Sequence, residues 1–104
     1  MAKNFLMLAL LVLLGSALQT SLAAEASITQ GKKLFNDPAL GGTLNPQSCN
    51  SCHQDGKGLE KAGARKDLAA MINTCIAQAL QGEKLDEHSP EMESLVLYIR
   101  SLGK

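Results

Sequence analysis

The chain has 104 residues, which allows one domain. Ten basic residues balance ten acidic ones, so the charge gives no sign of a nucleic-acid-binding surface, and we expect no nucleic-acid partner. Three cysteines are too few for two disulfides and the chain has no Trp, so a domain this small is expected to need another internal support, such as a buried cofactor.

The N-terminal segment has the order of a secretory signal peptide. Lys3 supplies a positive charge, residues 5–14 form an unbroken apolar run, and small residues follow at 21–24. The apolar run is shorter than the roughly 20 residues that a membrane-spanning helix needs. We therefore predict a signal peptide at 1–23, with Ala24 and Ala26 as alternative cleavage positions, and a mature domain at 24–104. The mature domain is expected to be exported to the periplasm and to have no permanent membrane span after cleavage.

After the signal peptide the pattern predicts helices joined by loops, with no strands. Ser27 and Gln30 fit a capping box that opens a first helix, and this helix is expected to stop near residues 36–38. The segments 38–48 and 54–64 are rich in Gly, Pro or charged residues and are predicted to be loops.

Two later segments have clear helical periodicity. Apolar residues recur at spacings of three and four over residues 65–81, and Gly82 is expected to end this helix in a left-handed conformation. Ser89 at the N-cap and Pro90 at the first helical position predict the start of a last helix, which Gly103 is expected to end. The sequence therefore predicts a small all-α fold of three to four helices.

The segment Cys49-Asn50-Ser51-Cys52-His53 is a C-x-x-C-H motif, the attachment signature of c-type haem. Two thiols three residues apart on a helical turn can each bond to one vinyl group of haem, and the adjacent His points its imidazole at the iron. We predict one covalently bound haem c, attached through Cys49 and Cys52, with His53 as an axial iron ligand. Haem is attached outside the cytoplasm, so the signal peptide supports the prediction independently.

Other interpretations of the motif explain less. A thioredoxin-type C-x-x-C needs strands around it, and a Cys49–Cys52 disulfide leaves His53 without a role. Zinc is the best rival, because Cys49, Cys52, Cys75 and one of the two His make a Cys₃His set. Finger-like spacing of a second ligand pair is missing, however.

Gly31, Phe35, the C-x-x-C-H motif and the segment Leu95-x-x-Tyr98-Ile99 together resemble a class I c-type cytochrome domain. The resemblance implies that the first and last helices cross closely at Gly31, with Phe35 and Tyr98 beside the crossing. It also implies a fold of three to four helices around one haem.

More narrowly, the chain is similar to the haem domains of SoxA and thiosulfate dehydrogenase. Three segments carry this similarity: LFNDPALGG…SCNSCH, INTCIAQALQGEKL and SPEMESLVLYIRSL. One departure is that Met71 stands where those relatives often have Arg, which weakens the inference of sulfur chemistry.

The second axial ligand of the iron sets the reduction potential. Four residues are candidates: Met71, Cys75, His88 and Met92. Each also has an ordinary explanation, since Met and free Cys often pack in cores and His88 falls in a polar loop. In the domains that the chain resembles, the Cys at the position of Cys75 binds iron, which implies Cys75 as the distal ligand and Met92 as the alternative.

Three functions remain open at this point. The first is an electron carrier between periplasmic redox partner proteins, with no catalytic residues of its own. Basic residues at 57–66 and acidic residues at 83–93 could steer such weak encounters. The second is the haem subunit of a sulfur-compound (thiosulfate) oxidising oxidoreductase, which would need a partner subunit. The third is a zinc-binding structural module. The short chain leaves little room for a substrate pocket, which favours the electron carrier over an enzyme.

Overall fold

The computed structural model describes residues 25–104, and within this range it has no strand. Four α-helices occur there: α1 (Ile28–Phe35), α2 (Cys49–Cys52), α3 (Leu68–Gln78) and α4 (Pro90–Ser101). Three 3₁₀ turns lie between them, at Leu40–Gly42, Gln54–Gly56 and Ala62–Ala64. The all-α prediction is confirmed. The predicted signal peptide, 1–23, lies outside the described residues.

Helices α1 and α4 begin where the sequence predicts. The Ser27 hydroxyl accepts a hydrogen bond from the Gln30 amide at 3.0 Å. In the same way, the Ser89 hydroxyl accepts a hydrogen bond from the Met92 amide at 3.2 Å, and Pro90 is the first residue of α4. The second half of the predicted capping box is replaced by a long-range contact. The Ser27 amide donates to Ser94 Oγ at 3.1 Å, which ties the start of α1 to α4.

Helices α1 and α4 cross in direct backbone contact at Gly31, as predicted. A Cβ atom at Gly31 would lie 1.9 Å from the Ser94 carbonyl oxygen and 2.7 Å from Tyr98 Cβ. One turn further along α1, the rings of Phe35 and Tyr98 meet with their centroids 5.1 Å apart and their planes tilted by 57°. This crossing forms one side of the core.

Helix α3 is shorter at both ends than the predicted range 65–81. Arg65 has an extended backbone with ψ 136°, so the helix begins only at Leu68. At the other end, the prediction for Gly82 was wrong: the left-handed residue is Gln81, with φ 56°. Gly82 matters for space instead, because a Cβ there would lie 3.1 Å from the Gly41 carbonyl oxygen.

The core consists of apolar side chains from α1, α3 and α4 and from the turn at Leu40. Its most completely buried members are Phe35, Ile76, Met92 and Leu95. No helix between residues 25 and 104 is both long enough and apolar enough to cross a membrane.

The connection between α3 and α4 is held by one buried side chain. Asn73 Nδ2 donates to the Leu85 carbonyl at 2.8 Å, and the Leu85 amide donates to Asn73 Oδ1 at 2.8 Å. Both polar atoms of the Asn73 amide are thereby satisfied inside the domain, which matters because a buried polar group without a partner is costly. The pair of bonds fixes α3 against the segment that leads into α4.

Candidate cofactor site

An apolar cavity of about 120 Å³ lies beside the α1–α4 crossing and opens to the surface. Its wall is almost wholly apolar. The wall is formed by Phe35, Ser48, Cys49, Cys52, His53, Leu59, Ala62, Arg65, Leu68, Met71, Ile72, Cys75, Ala79, Leu80, Leu95 and Ile99.

Helix α2 delivers the three residues of the motif to this cavity. It is a single turn, started by reciprocal bonds between Ser48 and Ser51, and its end is fixed by the His53 amide, which donates to the Cys49 carbonyl at 3.0 Å. One turn places Cys49 and Cys52 on the same face. Cys49, Cys52 and His53 all line the cavity, and both thiols are free.

A hydrogen bond fixes the orientation of the His53 ring. His53 Nδ1 lies 3.1 Å from the Lys57 carbonyl oxygen. A carbonyl only accepts, so Nδ1 must carry the hydrogen and donate it, which leaves the Nε2 lone pair free. This is the arrangement that a metal-binding imidazole usually has, with the second nitrogen held by a backbone carbonyl.

The thiols of Cys49 and Cys75 both lie on the cavity wall. Burial in the apolar wall raises the pKa of the Cys49 thiol to about 11, and the neighbouring Cys75 thiol adds to the rise. Cys49 belongs to α2 and Cys75 belongs to α3, so the cavity wall combines thiols from two helices.

The four candidates for the distal iron ligand fall into two groups. Met71 and Cys75, four residues apart on α3, both line the cavity and both are exposed. Met92 is fully buried in the core and lies outside the cavity wall. His88 lines a separate surface groove with Lys66.

The residues of this cavity fit a haem. Haem needs an apolar lining, two thiols three residues apart, and an imidazole with a free nitrogen, and the residues of this wall offer all three. Among the residues that the structure describes, no three His, Cys, Asp or Glu side chains are grouped closely enough to hold a metal ion directly. The Cys₃His zinc site therefore has no support.

Sequence reasoning missed two residues of this region. Arg65 contributes to the cavity wall, but in the sequence nothing distinguishes it from Lys57, Lys61 or Lys66. Asn73 positions α3. Its place as a polar residue on the apolar face of that helix was the sequence signal that could have revealed this role.

A family model described as di-haem cytochrome c peroxidase matches residues 25–98. The chain belongs to this family. The match agrees with a haem-binding c-type cytochrome domain and does not recover the narrower similarity to SoxA and thiosulfate dehydrogenase. No curated protein and no solved structure gives a significant match.

The chain differs from the description of its family in the number of haem attachment motifs. The sequence has three cysteines and a single C-x-x-C-H motif, so this chain offers the attachment residues for one haem, whereas the di-haem cytochrome c peroxidase family is described by two. A stoichiometry of one haem per chain stays a prediction.

Proposed function

We propose that this chain is an exported monohaem c-type cytochrome that carries electrons between redox partner proteins in the periplasm. The observation that supports the proposal best is the apolar cavity, whose wall combines the C-x-x-C-H side chains with the two exposed sulfur side chains of α3, Met71 and Cys75.

Each residue of the proposed site has a defined task. Cys49 and Cys52 would hold the haem covalently as thioethers, and His53 would bind the iron through Nε2, because its Nδ1 is held by the Lys57 carbonyl. The bound haem supplies a one-electron couple. The thioethers would keep the cofactor in place, and the apolar wall would limit the access of water to it, which is one of the ways in which a protein tunes such a couple.

Cys75 is the proposed distal ligand. It lies on the same wall as Met71, and a thiolate beside a metal ion is stabilised by the charge of the metal. A thiolate donates electron density and favours the oxidised iron, so the reduction potential would be lower than with a Met ligand. The burial of Met92 outside the cavity wall argues for a role of that residue in packing.

The cavity wall favours electron transfer over peroxide chemistry. Cleavage of a peroxide needs an open iron position and a group that moves protons beside it. Within residues 25–104, the wall has no carboxylate and no imidazole besides His53. Two sulfur side chains stand there instead, either of which would close the sixth iron position.

A haem subunit of a thiosulfate-oxidising enzyme is the second candidate, and the same placement of Cys75 on the wall supports it. In that case thiosulfate alone should reduce the oxidised protein, and Cys75→Ala should abolish this reaction. A pure electron carrier should remain oxidised in thiosulfate and become reduced only by a redox partner or a general reductant.

Electron paramagnetic resonance of the oxidised, haem-loaded protein tests the proposed ligands. We expect a low-spin thiolate signal that disappears in Cys75→Ala and persists in Met71→Leu. Met92→Leu serves as the matched control, because it changes a buried Met outside the wall and conserves volume, so that the signal should be unchanged. If Cys75→Ala keeps the native signal and Met71→Leu or Met92→Leu loses it, the Met whose substitution abolishes the signal is the distal ligand instead of Cys75.

A further inference from the structure

Arg65 is the one side chain of the cavity wall with a permanent charge, within the part of the chain that the structure describes. It follows the 3₁₀ turn Ala62–Ala64. The wall is nearly all apolar, so Arg65 contributes its aliphatic stem to it, while the side chain as a whole remains 47% exposed. The guanidinium therefore lies at the rim of the cavity, where long basic side chains commonly place their charged end.

The guanidinium is held by a neighbouring carboxylate. Arg65 Nε and Nη2 donate to the two oxygens of Asp67 at 2.8 and 3.0 Å, and this pairing lowers the pKa of Asp67. A guanidinium has five N–H groups, so three donors remain after these two bonds. The Asp67 contact restricts the orientation of these donors without using them up.

We propose that Arg65 binds one carboxylate of the haem at the cavity mouth and that Asp67 holds the guanidinium in position for it. This inference rests on the proposed haem site. Haem carries two carboxylates, and because burying an unpaired charge against an apolar wall is costly, these carboxylates are expected at the mouth, where the Arg65 guanidinium lies. Arg65 is suited to the task because a guanidinium forms strong paired hydrogen bonds with a carboxylate.

Neighbouring cations do not offer the same contact. Lys66 lines the separate groove that contains His88, and Lys57 and Lys61 are exposed residues outside the cavity wall. From α4, Arg100 Nε donates to the Gly63 carbonyl at 3.4 Å and faces the same separate groove. Lys66 is adjacent in sequence to Arg65 and carries the same charge, so it provides a matched control.

The first test measures the reduction potential of the haem-loaded protein. Arg65→Gln removes a positive charge close to the cofactor and should lower the equilibrium constant for reduction about tenfold, which is about 59 mV for one electron. Lys66→Gln should change it much less, and Arg65→Lys should recover part of the loss. Equal effects of Arg65→Gln and Lys66→Gln would overturn the proposal, because only a general charge effect would then remain.

The second test observes the contact itself. Resonance Raman bands of the haem carboxylate bending modes respond to hydrogen bonds at those carboxylates, and we expect a shift in Arg65→Gln and a smaller one in Asp67→Asn, which keeps the cation but releases it. Unshifted bands in both variants would contradict the inference even if the potential changed. Failure of the unmodified protein to take up haem at all would instead contradict the proposed function, and the absorption spectrum distinguishes the two results.

Discussion

Replacing Gly31 with Ala should destabilise the domain, because α1 and α4 touch at this position. The new Cβ would lie 1.9 Å from the Ser94 carbonyl oxygen, whereas ordinary contact begins at 3.4 Å. The helices would have to separate by about 1.5 Å, and a gap of roughly 0.5–1 Å already removes a quarter to a half of a dispersion contact. The pair Phe35–Tyr98 would lose contact as a result.

The magnitude follows from two opposing effects. Overpacking of this kind costs about 1–3 kcal/mol or more, while Ala gains about 1 kcal/mol over Gly in helix propensity. A backbone atom is the obstacle and cannot turn aside, so we place the net loss near the upper end, at about 2 kcal/mol. For a domain of this size that corresponds to a decrease in Tm of roughly 8–16 °C.

Thermal unfolding of the haem-loaded protein, followed by circular dichroism, measures this loss. Lys33→Ala is the matched control, since Lys33 is an exposed residue of the same helix, and its Tm should change by no more than a few degrees. A Gly31→Ala variant as stable as the unmodified protein would refute the close crossing of α1 and α4.

Two further predictions concern the cofactor and the α3–α4 connection. The double variant Cys49→Ala/Cys52→Ala should lose most of its helical circular dichroism, because so small a domain buries too little apolar surface without the cofactor; a cooperative helical melt without haem would contradict this. Asn73→Leu should cost about 2–6 kcal/mol, because it leaves two backbone groups of Leu85 without partners at roughly 1–3 kcal/mol each. Denaturant unfolding measures the change, and a loss below about 0.5 kcal/mol, typical of an unimportant surface site, would count against the Asn73 contact.

Local signals predicted the parts of the fold that depend on local chemistry. Ser89 and Pro90 are expected at the start of a helix for reasons contained in one turn of chain, and α4 begins there. The close crossing at Gly31 was reached through a resemblance, since nothing within the first helix identifies the helix that approaches it. The start of α3 was misplaced because Arg65 has an extended backbone and pairs with Asp67, and apolar periodicity alone does not register either feature.

The candidate site also has one part that the local sequence predicts and one part that depends on packing. The motif 49–53 carries its own spacing, and the structure brings its side chains to one cavity. The distal side was ambiguous in the sequence, because Met71 and Met92 both fall on apolar helical faces. Which of these faces lines the cavity depends on how α3 and α4 pack against the rest of the domain, and the sequence pattern does not contain that information.

The mass and colour of the purified, exported protein test the central claim most directly. Because Cys49 and Cys52 are proposed to form thioethers, the intact mass should exceed that of the mature chain by one haem, and the red colour should survive extraction with acidified acetone. The absorption spectrum should change reversibly between oxidised and reduced forms. A colourless protein of unmodified mass, or one whose haem is removed by the extraction, would contradict the account.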